Sequence, residues 1–154
     1  MRPIVAAALV LAAGTVTAAA GAADPALTVG HNEEYDAFVA TDTGRPLYAF
    51  AEDIQGGPER PAVSDCYDAC AEMWPPMLAG EGEPTVGAGL DPDLLGTTER
   101  RDGTRQLTYD GWPLYRYFRD ERPAFDTHGQ SLHTHGGSWY LLRPSGEVIQ
   151  GRDL

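Results

Sequence analysis

The chain has 154 residues, of which 23 are acidic and 11 basic, and its formal net charge at pH 7 is −12. Every basic residue is an arginine, because the sequence contains no lysine. Nucleic acid and anionic membrane surfaces repel so acidic a chain, so we exclude both as partners and expect an unknown envelope protein or a small ligand.

The first 23 residues have the pattern of a cleaved signal peptide. Arg2 supplies a positive n-region, residues 4–13 form an apolar h-region, and Ala20-Gly21-Ala22 is a small-residue cleavage site. The apolar run is shorter than the roughly 20 residues of a membrane-spanning helix, so we expect no transmembrane segment in the mature chain. No cysteine lies near the cleavage site to carry a lipid anchor. We predict a periplasmic or extracellular protein in which residues 24–154 form a single β-rich domain.

The first two strands are predicted on either side of a turn. Residues 34–41 are rich in aromatic and β-branched side chains, and Asp42-Thr43-Gly44 leads from them into residues 47–50. A short loop that contains glycine between two such runs is typical of a β-hairpin.

One short helix is predicted after this hairpin. Ser64 or Asp65 can cap its start, residues 66–73 continue it, and Pro75-Pro76 end it.

The helix carries the only two cysteines of the chain, Cys66 and Cys70. A lone pair this close in an exported protein is most simply a disulfide. The loop-entropy model gives so small a ring only about 2 kcal/mol, so we expect it to fix local geometry rather than to hold the whole domain.

Two further sets of antiparallel strands are predicted in the second half. Asp-Gly pairs at 102–103 and 110–111 separate three strand-like runs, which indicates a three-stranded meander. A last hairpin turns at Pro144-Ser145-Gly146. The runs are residues 95–100, 105–109 and 112–118 in the meander, and residues 138–143 and 147–150 in the hairpin.

One phrase occurs twice. Residues 44–53 and 111–120 share the pattern Gly-x-Pro-Leu-Tyr-x-aromatic-x-x-Asp, which indicates one supersecondary unit used in two repeats, at about 35–80 and 95–150. Alternation along a strand places the tyrosine and the next aromatic on one face, in a shared core, and the aspartate then serves as a turn or helix cap. These side chains are Tyr48, Phe50, Asp53, Tyr115, Tyr117 and Asp120. The predicted fold is therefore mainly β, with antiparallel hairpins in two related halves and one short helix that carries a local disulfide.

Three features of the sequence carry a resemblance to a known family. They are both copies of this phrase, the Cys-x-x-x-Cys-Ala…Trp-Pro-Pro segment at 66–76 and the closing Gly137-Ser138-Trp139-Tyr140. The chain resembles a bacterial family of predicted secreted lipoproteins with a Tyr-x-(Phe/Trp/Tyr)-x-x-Asp motif, the secreted repeat of unknown function. The resemblance implies an exported domain without an established activity. This chain departs from it in having no cysteine for a lipid anchor and in Leu132-His133-Thr134-His135, where many relatives look Asn- and Gly-rich.

We expect a non-enzymatic binding or structural module of the cell envelope that needs no cofactor. The sequence contains no G-x-S-x-G, H-E-x-x-H or phosphate-loop motif. A small ligand would bind between the two repeats. The aromatic side chains that we expect to face it are those of Tyr48, Tyr115, Trp74, Trp112 and Trp139.

Two alternatives stay open. In the first, His133 and His135 lie on a strand, present both imidazoles to one face with His128 nearby, and bind copper or zinc. In the second, Asp53 and Asp120 form the acid–base pair of a hydrolase. Exposed loop histidines and turn-capping aspartates are the simpler interpretations of these residues.

Overall fold

The computed structural model describes residues 26–151, which form antiparallel sheets with one short α-helix. The predicted mainly β fold is confirmed, and the predicted signal peptide lies outside the described residues. The strands are β1 (Leu27–Asn32), β2 (Asp36–Thr41), β3 (Tyr48–Phe50), β4 (Leu95–Glu99), β5 (Arg105–Tyr109), β6 (Trp112–Pro113), β7 (His133–Thr134) and β8 (Gly137–Leu141), and the helix α1 is Ala69–Met73. A 3-10 turn at Pro92–Leu94 leads into β4.

The strands form three small sheets. β1 pairs with β2, the meander β4-β5-β6 is ordered as predicted, and β8 lies between β3 and β7. Because β3 belongs to the first copy of the repeated phrase and β8 to the second half of the chain, the third sheet joins the two halves. The last hairpin is also present, through a bridge between Leu142 and Val148.

The hairpin predicted from residues 34–41 and 47–50 forms only next to its turn. Two backbone hydrogen bonds, of 2.8 and 3.0 Å, join the segments around residues 42–44. Elsewhere the predicted pairing is wrong, because β2 pairs with β1, a strand that was not predicted, and β3 pairs with β8. Pro46 contributes no N–H at this point, so a continuous ladder between β2 and β3 would lack a donor.

The helix is shorter than predicted. It begins at Ala69 instead of Cys66, because Asp68 has a φ of 52° and so lies outside the helical region. The cap predicted at Ser64 or Asp65 is wrong, since Asp68 occupies the N-cap position and makes no side-chain capping bond. The end of the helix before the two prolines is as predicted.

The predicted disulfide is confirmed. Cys66 and Cys70 are bonded, with their Cα atoms 5.2 Å apart, and both residues are buried. The carbonyl oxygen of Cys66 also accepts a hydrogen bond of 2.7 Å from Arg100 Nη2. The disulfide therefore ties the start of α1 to the segment before it, directly ahead of the buried Trp74.

The side chains of β3 separate two hydrophobic cores. Tyr48 and Phe50 pack into one core, and Leu47 and Ala49 pack into the other, as strand alternation predicts. The first core is dominated by aromatic rings and the second by aliphatic side chains. The repeated phrase thus contributes its leucine to the aliphatic core and its two aromatic residues to the aromatic core, in both copies.

Candidate functional site

The two copies of the phrase meet at their tyrosines. Tyr48 N donates to Tyr115 O over 2.9 Å, and Tyr115 N donates to Tyr48 O over 3.0 Å, which makes an antiparallel bridge. The bridge is reciprocal, so each copy presents the same positions to the other.

A stack of four aromatic rings crosses this junction. Phe50 stacks on Trp139 at 4.2 Å between ring centroids, and Trp139 stacks on Trp74 at 3.8 Å. Tyr117 packs on the other side of Trp74 at 4.4 Å, with the two ring planes tilted by 36°. Phe50 and Trp74 belong to the first half of the chain, and Trp139 and Tyr117 to the second. Successive rings therefore come from alternate halves, and every contact in the stack joins one half to the other.

The two tryptophans are held from their edges. Tyr48 packs edge-on against Trp74, and Tyr115 packs edge-on against Trp139, with centroids 5.4 and 5.2 Å apart. Both indole N–H groups donate to Thr134, that of Trp74 to the hydroxyl over 3.1 Å and that of Trp139 to the carbonyl over 3.3 Å. All four rings have no exposed surface. A ligand therefore reaches none of the two tyrosines and two tryptophans named in this paragraph, although all of them were expected to face one.

The tyrosine of the first copy binds the aspartate of the second. Tyr48 OH donates to Asp120 Oδ2 over 2.5 Å, and Asp120 Oδ1 accepts from the backbone N–H of His128 over 2.9 Å. Burial raises the pKa of Asp120 above its usual value, and the hydrogen bond from Tyr48 opposes that rise. One oxygen of Asp120 thus binds a backbone N–H eight residues further along the chain, and the other ties the two copies together.

The reciprocal pair, Asp53 and Tyr115, is not closed in the same way. Asp53 Oδ1 accepts from the backbone N–H of Asp65 over 2.7 Å. The Tyr115 hydroxyl lies close enough to the Asp53 carboxyl to affect its pKa, but Asp53 Oδ2 and Tyr115 OH both lack a partner with hydrogen-bond geometry. Burial raises the pKa of Asp53 to about 7 and that of Tyr115 above its usual value.

A buried polar network that was not predicted surrounds Tyr115. Arg100 Nη1 donates to Gln106 Oε1 over 2.7 Å, Ser64 Oγ donates to the same oxygen, and Gln106 Nε2 donates to Leu114 O over 2.7 Å. Arg100 is only 3% exposed, although its sequence neighbours on both sides are charged and exposed. Alternation along the predicted strand puts Arg100 on the same face as the buried Thr98, but the sequence alone does not show that this face is buried.

The histidines do not share a strand face. β7 ends at Thr134, and His135 lies in the following turn with a φ of 56°, so the prediction that His133 and His135 both lie on a strand is wrong. His133 Nδ1 is 3.2 Å from Ser138 Oγ, and His128 Nδ1 is 3.3 Å from Asp120 Oδ1. Within residues 26–151 no group of three or more His, Cys, Asp or Glu side chains is placed to hold a metal ion. Binding of copper or zinc by the exposed pair stays a prediction.

Trp112 differs from the other two tryptophans. It is half-buried, packs on the aliphatic core and lines a cleft of about 490 Å³ between the β5–β6 turn and the last hairpin. It is thus the one tryptophan of the three that a ligand can reach directly.

Comparison with known proteins gives one match. A family model described as a secreted repeat of unknown function matches residues 37–77 and 96–143, one region in each half of the chain. No curated protein and no solved structure matches the chain. Over the described residues, no helix combines the length and the apolar character that crossing a membrane requires.

Proposed function

The chain belongs to the family of secreted repeats of unknown function, and on that premise we propose that it is an exported, non-enzymatic module that binds or supports components of the cell envelope. We propose that the signal peptide at residues 1–23 directs its export and is then removed. The observation that supports this role is the reciprocal use of the repeated phrase, whose aromatic and acidic side chains all lie inside the junction of the two halves.

The repeated phrase acts as a folding device in this proposal. Its tyrosine makes the bridge between the copies, its second aromatic ends the ring stack, and its aspartate caps a later backbone segment. The closed pair Tyr48–Asp120 specifies one arrangement of the core, because an alternative arrangement would leave these buried polar groups without partners. A rigid junction of this kind suits a domain whose outer surface does the binding.

The same contacts argue against the hydrolase alternative. Asp53 and Asp120 are 7% and 2% exposed, and one oxygen of each is bound to a backbone N–H. A general acid or base must come within hydrogen-bond reach of a substrate atom. Both carboxyl groups instead face the tyrosine of the opposite copy.

Conservative variants of the closed pair test the proposal. Tyr48→Phe removes the hydroxyl that donates to Asp120, and Asp120→Asn replaces the accepting carboxyl group by an amide. We expect each variant to lower the free energy of unfolding by about 1–3 kcal/mol. The surface variant Asp42→Asn, at an exposed turn residue, serves as control and should unfold like the wild type. Urea unfolding followed by tryptophan fluorescence measures all three.

An activity screen on the same proteins decides between module and enzyme. We expect no turnover of chromogenic esters, phosphate esters or glycosides by the wild-type protein. Hydrolysis that disappears in Asp120→Asn or Asp53→Asn while the melting temperature is unchanged would refute the non-enzymatic role.

A further inference from the structure

The cleft beside Trp112 is lined by this one aromatic residue and by several planar polar groups. Its volume of about 490 Å³ lies in the range of small-molecule sites. Two carboxyl groups, two amides and one guanidinium belong to residues that line it together with Trp112. The cleft is lined by Gln55, Asp110, Trp112, Arg143, Glu147 and Gln150.

Backbone contacts hold the walls of the cleft in place. Gln55 Nε2 donates to Asp110 O over 2.8 Å, and Gly56 N donates to Gly111 O over 2.9 Å. These two bonds fix the turn that precedes Trp112 to the segment at residues 55–56. On the other side, Tyr109 OH donates to Pro144 O over 2.7 Å and anchors the last hairpin. A site that is formed before the ligand arrives loses little conformational entropy on binding.

The hairpin and the turn also touch directly. A Cβ atom at Gly146 would lie 2.3 Å from Asp110 Cβ, so only glycine allows this close approach. The floor of the cleft is therefore set by packing between two separate parts of the chain.

We propose that this cleft binds a neutral saccharide, with one pyranose ring stacked on the Trp112 indole, a proposal that rests on the proposed function as a binding module. The axial C–H bonds of a pyranose make an apolar face that matches an aromatic ring, and tryptophan offers the largest such ring. The sugar hydroxyls project around that face, where the carboxylates accept hydrogen bonds and the amides both donate and accept them. The cleft supplies both elements in one place.

The charge of the protein favours a neutral sugar over an acidic one. The chain carries a formal net charge of −12, and the cleft is lined by two carboxylates, Asp110 and Glu147, against one guanidinium, that of Arg143. A uronic acid would meet these carboxylates as a like charge. A neutral ring meets no such repulsion.

The first copy of the phrase provides an internal comparison. Arg45 occupies the position in it that Trp112 occupies in the second copy, and it lines a cleft of about 440 Å³ with Asp42, Met77 and Arg116. That cleft has a similar volume and no aromatic ring. Saccharide binding should therefore be confined to the Trp112 cleft.

Calorimetric titration of the full mature chain tests the proposal. The probes are the trimers of β-1,4-linked glucose and β-1,4-linked N-acetylglucosamine, with trigalacturonate as the acidic comparison. We expect binding of a neutral trimer, weakened about tenfold or more in Trp112→Ala, weakened less in Trp112→Phe, and unchanged in Arg45→Ala. Melting curves of the variants confirm that they fold.

Fluorescence gives a second readout. Since Trp74 and Trp139 are fully buried, a neutral trimer should change the emission of the wild-type protein and not that of Trp112→Phe, which still binds by calorimetry. Three outcomes would overturn the saccharide site: neither neutral trimer binds, Trp112→Ala binds as tightly as the wild type, or Arg45→Ala weakens binding as much as Trp112→Ala. The proposal of a non-enzymatic module would stand after each of them. Release of new reducing ends from a trimer would instead overturn the module itself.

Discussion

At the scale of single residues, each tyrosine of the repeated phrase faces the aspartate of the other copy, but the two tyrosine–aspartate pairs differ in their hydrogen bonds. The pair Tyr48–Asp120 is closed by a hydrogen bond of 2.5 Å, whereas Asp53 and Tyr115 each keep a buried oxygen without a partner. A buried carboxylate that keeps one oxygen without a partner favours its neutral form, because burial removes the water that would solvate its charge. Asp53 is therefore the residue at which the fold should respond to pH near neutrality.

We predict that Asp53 makes the protein less stable as the pH rises from about 4 to about 7. The pKa of Asp53 is about 7 in the folded chain against an ordinary value of 3.8, so the folded state binds the proton more tightly than the unfolded chain does. The stabilisation that this proton provides is lost as the pH rises through this window. A difference of this size corresponds to a loss on the order of 4 kcal/mol. Asp53→Asn keeps the shape and cannot ionise.

Urea unfolding between pH 4 and pH 8 measures this effect. The wild-type free energy of unfolding should fall across the window, and that of Asp53→Asn should fall much less and exceed the wild type at pH 8. Asp42→Asn, an exposed aspartate, should follow the wild-type curve. Parallel curves for wild type and Asp53→Asn would show that Asp53 ionises in the folded state as it does in the unfolded chain.

At the scale of elements, the turns were predicted better than the strands between them. The Asp102-Gly103 and Asp110-Gly111 turns follow from local backbone preferences, and the meander has the predicted strand order. Its third strand, predicted over residues 112–118, spans only Trp112–Pro113. β1 was missed because Gly30 interrupts it, and the glycine is needed there since a Cβ would lie 2.4 Å from the Phe38 ring. β7 has only two residues. Which strand pairs with β3 depends on tertiary contacts, so no local pattern could predict it.

Two glycines in these turns give a matched pair of substitutions. Gly111 and Gly103 have φ values of 75° and 80°, which lie in the left-handed region of the backbone. An alanine in this conformation costs about 1–2 kcal/mol, and this cost is the same at both positions. Only at Gly111 would the new Cβ approach another backbone atom, Gly56 O, at 2.2 Å. We predict that Gly111→Ala destabilises the protein by at least about 2 kcal/mol more than Gly103→Ala, since the backbone has to move. Urea unfolding of both variants measures the difference, and equal losses would mean that the Gly56 segment yields freely.

At the scale of the whole molecule, the two halves interlock instead of packing as separate units. The sequence predicted two related halves with a shared aromatic core, and the ring stack agrees with that prediction. It did not predict that the rings alternate, because Trp74 and Trp139 lie far from the phrase in each half and only the fold brings them together. The alternation explains why a duplicated unit can behave as one domain. Neither half can complete the stack with its own rings.

We predict that fragments 24–90 and 91–154 do not fold separately and that they associate when mixed. Phe50 and Trp74 are not neighbours in the stack, because Trp139 lies between them, and Tyr117 is likewise separated from Trp139 by Trp74. Each fragment alone therefore loses all three stacking contacts, the bridge between the tyrosines and the bond from Tyr48 to Asp120.

Near-ultraviolet circular dichroism, which reports on fixed aromatic rings, measures the outcome. Each fragment should lack the aromatic signal of the intact chain, and an equimolar mixture should recover it in proportion to the complex formed. Tyr48→Phe in the first fragment should weaken the complex, whereas Asp42→Asn, a change at an exposed residue outside the junction, should not. A native-like aromatic spectrum from either fragment alone would show that the stack is dispensable, and the halves would then be two domains placed side by side.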